Sequence, residues 1–101
     1  MSKVYGYCRV ALRNEEEMAE QLEVVNSYCK NHGLKLNSVF YDNGASGLSW
    51  HRKGLNKMFD VLESGDTVII KDIARLSRSA SQCMALVEQM GEIGVTLEII
   101  N

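Results

Sequence analysis

The sequence predicts an α/β protein with three layers: a mostly parallel sheet with helices on both faces. Three observations predict it. Four short apolar runs alternate with three stretches of helical period, in the order β-α-β-α-β-α-β. The runs are rich in β-branched and aromatic residues, as half-buried or buried strands are. Charged and glycine-rich segments fall where the strands end, which is where such folds place their sites.

The elements follow in order. Lys3 to Val10 reads as a strand, with Tyr5, Tyr7 and Arg9 on one face and Val4, Gly6, Cys8 and Val10 on the other. One further extended step points position 11 the same way as Arg9. Glu15 to Asn31 reads as a helix whose buried face is Met18, Leu22, Val25 and Cys29. Its first turns carry glutamates, which suit the macrodipole, and Gly33 supplies the stop. Leu36 to Tyr41 is the second strand, and a long glycine-rich loop, Asp42 to His51, follows. Lys53 to Glu63 is a helix buried through Leu55, Met58, Phe59 and Leu62. Thr67 to Lys71 is the third strand. The segment "KDIARLSRSAS" leads into a helix from about Ser81 to Ile93, with Met84, Val87 and Met90 inward, and Gly94 ends it. Val95 to Ile100 is the last strand.

A chain of 101 residues is long enough for one self-sufficient core. The net charge of -2 excludes a uniformly basic nucleic-acid binder, but local basic clusters remain able to hold phosphate. Cys8, Cys29 and Cys83 form neither a disulfide framework nor a zinc pattern, so they read as reduced thiols in or near the core, in a cytoplasmic setting. No signal-peptide run and no membrane span is present, and no membrane partner is expected. His32 and His51 read as surface histidines. Asp42 and Asp72 end strands, where an aspartate caps a loop or helix more often than it holds magnesium. No metal and no cofactor is expected.

Four arginines concentrate at strand ends: Arg9, Arg52, Arg75 and Arg78. Arginine keeps its charge and can grip two oxygens of one phosphate. Arg75 and Arg78 are three apart, so on a helical turn they face the same side. Converging from separate strand ends, the four would clamp a phosphodiester whose charge rises in a transition state. "NGASG" is neither a Walker A loop nor a dinucleotide fingerprint.

Four stretches in order carry a resemblance: "YGYCRVA" (5–11), "YDNGASGLSWHRKGLNKM" (41–58), "GDTVIIKDIARLSRS" (65–79) and "GVTLEII" (94–100). They resemble the catalytic domain of the serine recombinases, the resolvase/invertase family, over essentially the whole chain. The resemblance implies a resolvase-like sheet sandwiched by helices, related in architecture to flavodoxin. It also implies metal-free DNA strand exchange, in which a serine after Arg-Val attacks a phosphodiester and forms a 5′-phosphoserine link. That link stores the energy for rejoining. Residue by residue, Arg9, Arg52, Arg75 and Arg78 match the family's phosphate-gripping arginines. Ser46 matches the serine of the glycine-rich loop, and Gln21 a polar site residue of the first helix.

At the nucleophile's place stands Ala11. It is either a replacement made to stop the chemistry or a natural loss, and in both cases the attacking oxygen is missing. Ala74 and His51 stand where the family often has acidic or polar residues. Cys8 is expected on the opposite face of the strand, and Ser46, Ser49 and Ser77 have no motif that places an oxygen at position 11. The resemblance further implies a dimerisation helix and a DNA-binding domain beyond the last strand, neither of which lies within these residues. Weak, salt-sensitive DNA binding by this piece is therefore expected, with self-association or a recombinase partner in the full protein. Two other readings stay open: a non-catalytic regulatory or interaction module derived from a recombinase, and an unrelated flavodoxin-like domain for a small phosphorylated ligand.

Overall fold

The computed structural model describes residues 2–44 and 52–101. Its elements are β1 (Val4–Val10), α1 (Glu15–Asn31), β2 (Leu36–Asn43), α2 (Lys53–Val61), β3 (Thr67–Ile70), α3 (Ile73–Leu76), α4 (Ala80–Ile93) and β4 (Thr96–Ile99). The four strands are all parallel, in the order β2-β1-β3-β4. The chain therefore moves outward from β1 to β2, then returns across β1 to β3 and β4. The direction reverses between β1 and β3, and the crevice above that point is where open parallel sheets bind ligands.

Strand alternation assigns the two faces as expected. Tyr5, Tyr7, Val68 and Ile70 pack with Leu55, Met58, Leu62, Leu86 and Met90 beneath α2 and α4. Cys8 and Ile69 pack with Val25 and Cys29 beneath α1. Helices on both faces give the three layers. Cys8 and Cys29 are buried, Cys83 is half-buried, and all three are free thiols.

The structure corrects several details. Leu22 is exposed, and Gln21 takes its place on the buried face of α1. Met84 and Val87 are exposed as well; the inward stripe of α4 is Cys83, Leu86, Met90 and Ile93. Both stripes run at steps of three and four residues, so periodicity alone could not choose between them. Strand β2 runs two residues further than Tyr41, bringing Asp42 and Asn43 into the sheet. A short helix, α3, occupies 73–76, and Ser77 after it is fully extended (φ -164°, ψ 155°). Arg75 and Arg78 thus do not share a helical turn.

Local chemistry explains the ends. Asn14 caps α1, its side chain accepting from the Glu17 amide at 3.0 Å. Ser79 caps α4 in the same way through the Gln82 amide. Gly94 ends α4 at φ 95°, where its own amide and that of Val95 both donate to the Met90 carbonyl. Helix α2 is capped from a distance: the buried Asp42 carboxylate accepts from the amides of Gly54 (2.8 Å) and Leu55 (3.0 Å). That seats the start of α2 directly on β2. A β-carbon on Gly54 would lie 2.2 Å from the Tyr41 carbonyl oxygen, whereas one on Gly91, in exposed α4, meets nothing within 4 Å.

Two alanine substitutions should accordingly have opposite signs. Gly54→Ala forces α2 off β2 and should destabilise the fold by about 3 kcal/mol or more. Gly91→Ala should stabilise it by roughly 0.5–1 kcal/mol through helix propensity and a less flexible unfolded chain. Urea denaturation midpoints of the two variants check the pair.

Candidate functional site

Arg9 is the last residue of β1 on the face that carries Tyr5 and Tyr7, and it is only 1% exposed. Its Nε donates to the Arg75 carbonyl at 3.1 Å and its Nη2 to the Ala74 carbonyl. Arg75 reciprocates, its Nη1 donating to the Arg9 carbonyl at 2.8 Å. Arg52, also 1% exposed, donates from Nη2 to the Leu76 carbonyl. Its guanidinium lies 5.8 Å from the centre of the Tyr7 ring. The carbonyls of residues 74, 75 and 76 are the orphan acceptors at the end of α3. Two buried guanidinium groups satisfy them, a structural task that the sequence reading did not assign to Arg9 or Arg52.

The backbone of Arg9 is held from the other face. Gln21 Oε1 accepts from the Arg9 amide at 3.1 Å, and Gln21 Nε2 donates to the Arg9 carbonyl at 2.9 Å. This explains why a glutamine stands on the apolar face of α1. Tyr7, next on the Arg9 side of the strand, donates its hydroxyl to Asp42 at 2.6 Å. Asp42 is therefore a cap, as expected of a strand-end aspartate. Asp72 sits at the N-terminal end of α3 and accepts from Arg75 Nε at 3.1 Å.

Above these groups lies a cleft of about 480 Å³, lined by Arg9, Ala11, Leu12, Arg13, Asn14, Glu17, Arg75 and Arg78. It sits at the β1/β3 switch point. Three of the four predicted arginines and Ala11 thus come together. Arg52 does not line the cleft among the described residues, but its charge reaches it. Burial, and next the charges of Arg52 and Arg75, press the Arg9 guanidinium below its ordinary value, with a smaller push from Arg78; Tyr7 pulls the other way. Arg52 Nε and Nη1 are buried and have no hydrogen-bond partner among the described residues. Like charges held this close, with buried donors unmet, form a site that favours an anion. Ser46, Ser49 and His51 lie outside the described residues.

Among the described residues, the two that could stand in for a hydroxyl at position 11, Cys8 and Ser77, are otherwise engaged. Cys8 faces the α1 side, and burial pushes its thiol up to about 11 despite an opposing pull from Arg75. Ser77 is buried, donates to Gln82 Oε1 at 3.2 Å and accepts from the Ser79 amide at 3.1 Å. No group of three or more metal-ligating side chains occurs among the described residues. No helix among them is long and apolar enough to cross a membrane.

The family model described as the resolvase N-terminal domain matches residues 4–101. A resolvase of Clostridium perfringens is 32% identical over 96 residues, covering 95% of this chain and 48% of that protein. The transposon Tn3 resolvase of Escherichia coli is 29% identical over 99 residues, covering 98% of this chain and 50% of the relative. The crystal structure of the C-terminal catalytic domain of ISC1926 TnpA, an IS607-like serine recombinase, superposes with a TM-score of 0.89 at 30% identity, covering 98% of this chain and 67% of that one. The chain spans about half the length of the curated relatives it matches.

Two measurements test the architecture of the site. Gln21→Leu keeps the side chain's bulk but strands the buried amide of Arg9, while the Arg9 carbonyl keeps its bond from Arg75. It should cost about 1–3 kcal/mol and speed hydrogen exchange at the Arg9 amide. Alkaline pH should also weaken the fold. A thiol whose folded pKa is raised binds its proton more tightly in the native state. The Cys8 contribution is therefore complete below its ordinary value of 9.0 and is lost as pH rises through about 11. Tyr7, raised by burial and next by its hydrogen bond to Asp42, adds the same sign at higher pH. Denaturation midpoints should fall between pH 9 and 11, and Cys8→Ala with Tyr7→Phe should flatten the decline.

Proposed function

The chain belongs to the resolvase N-terminal-domain family, and from that membership we propose that it is the strand-exchange domain of a DNA site-specific recombinase that retains its phosphodiester site and has lost its nucleophile. The observation that carries the reading is the convergence of Arg9, Arg75 and Arg78 on one cleft around Ala11, with the charge of Arg52 behind them.

The chemistry follows from the residues. Arg78 is exposed at the rim and Arg75 only partly buried, so both can meet phosphate oxygens. Arg9 and Arg52 contribute fixed positive charge from a poorly solvated position, where it acts strongly and needs no reorganisation. Such a cluster stabilises the extra negative charge of a phosphorus under attack. The attack itself needs an oxygen at position 11, and the alanine methyl group supplies none. The site therefore holds a phosphodiester without opening it, and no cofactor or metal enters. Ser46, from the glycine-rich loop, is proposed as a further phosphate contact on the strength of the resemblance alone.

Ala11 also favours a second reading, a non-catalytic partner that occupies a place among active recombinase subunits. Family membership decides against an unrelated small-ligand domain. In either recombinase reading, sequence recognition and subunit assembly are tasks for the full protein, and this domain alone binds DNA weakly. Its three free thiols fit a reducing cytoplasmic setting.

Binding of a labelled DNA duplex, followed as salt is raised, tests the first half. Arg78→Ala should weaken binding and lower the salt slope by about one counterion. Binding that ignores Arg75→Ala and Arg78→Ala overturns the phosphodiester site. Denaturing gels test the second half. The native chain should leave no covalent protein–DNA species, whereas Ala11→Ser restores the hydroxyl and is the variant expected to give one. A covalent species formed with Ala11 in place overturns the loss of cleavage.

A further inference from the structure

Of the eight described residues that line the cleft, Glu17 is the one acid. Its Oε1 lies 3.4 Å from Arg75 Nη1, an ion pair that joins the α1 wall of the cleft to the α3 wall. Nothing in its sequence position announces this. Glu17 is the third residue of α1, after the cap Asn14. At that position a glutamate ordinarily folds back to accept from the amide of the capping residue. Here the Asn14 amide donates instead to Asn43 Oδ1 at 2.9 Å, an acceptor supplied by the end of β2. Asn43 Nδ2 in turn donates to Glu15 Oε1 at 3.0 Å. With the reciprocal half of the cap taken by Asn43, the Glu17 carboxylate is released from its local role and turns to the arginines.

We infer that Glu17 is a built-in competitor for the anion site: its carboxylate neutralises Arg75 while the cleft is empty and must leave when a phosphodiester enters. The inference rests on the phosphodiester reading above and adds the residue that sets affinity there. The two partners differ in mobility in the way the role needs. The Arg75 side chain is 18% exposed and is fixed by its bonds to the Arg9 carbonyl and Asp72, whereas the Glu17 side chain is 47% exposed. An ion pair of that exposure is weak enough for an incoming phosphate to displace. It still lowers affinity, because the displaced carboxylate stays within a Debye length of the phosphate.

The test compares Glu17→Gln with Glu16→Gln. Both remove one charge from the same exposed helical turn, but Glu16 is outside the cleft. Glu17→Gln keeps the side-chain length, and the Asn14 cap survives because it uses the residue 17 amide. Two probes are used at low ionic strength: inorganic phosphate, followed by calorimetry, and a short labelled DNA duplex, followed by anisotropy. Glu17→Gln should tighten both about three- to fivefold, Glu16→Gln much less, and the gain should vanish in an Arg75→Ala background. Equal gains from the two glutamine variants, or no gain from Glu17→Gln with either probe, overturn the inference. The two readings fail separately. Tighter phosphate binding by Glu17→Gln while no variant holds the duplex sustains the role of Glu17 and sinks the DNA reading. Arg75-dependent duplex binding that Glu17→Gln leaves unchanged does the reverse.

Discussion

The reciprocal grip between Arg9 and Arg75 is the constraint on which the rest of the site depends. Each side chain binds the other's backbone carbonyl, and Gln21 fixes the Arg9 peptide groups from the opposite face of the sheet. A four-residue helix has too few internal hydrogen bonds to hold itself. Helix α3 exists because Arg9 and Arg52 satisfy its terminal carbonyls. The end of β1 and the segment carrying Arg75 and Arg78 are thereby tied at the switch point of the sheet. The position of residue 11 follows from that tie.

The same arrangement carries an electrostatic load. Two guanidinium groups are almost fully buried, and three more, of Arg13, Arg75 and Arg78, line the cleft beside them. Burying charge without a full set of partners opposes folding. Around them the fold supplies carbonyl oxygens, the face of Tyr7 and the carboxylates of Asp72 and Glu17, all either neutral or at the margin. The one buried carboxylate close by, Asp42, is committed to Tyr7 and the start of α2. The cluster is thus kept short of negative charge, as a site for an anion should be.

Ala11 fits this picture without disturbing it. None of the hydrogen bonds that shape the site passes through the side chain at position 11. On the proposed reading, a hydroxyl at position 11 would add an attacking oxygen and leave the cluster, the sheet and the cap of α2 as they are, because the arginines are organised by backbone carbonyls.

The element order, the two faces of β1 and the stops at Gly33 and Gly94 were legible in the sequence, because strand alternation and glycine chemistry are local. So was the gathering of arginines at strand ends, since a parallel sheet puts all those ends on one side. Asp42 as a cap was legible in kind, though not the helix it caps. Other features were decided only by tertiary structure. Leu22, Met84 and Val87 lost the buried face to residues one place away, because overlapping stripes satisfy the same helical period and only the neighbouring sheet selects one. Arg52 was read as a phosphate-gripping arginine with no structural task, yet it lies buried on the Leu76 carbonyl, an acceptor 24 residues away in sequence. Glu17 was one of several glutamates suited to the helix dipole, and only the tertiary structure showed Asn43, at the end of β2, in its place in the cap. Local periodicity specifies which residues can face inward; contacts distant in sequence decide which of them do, and which charges meet.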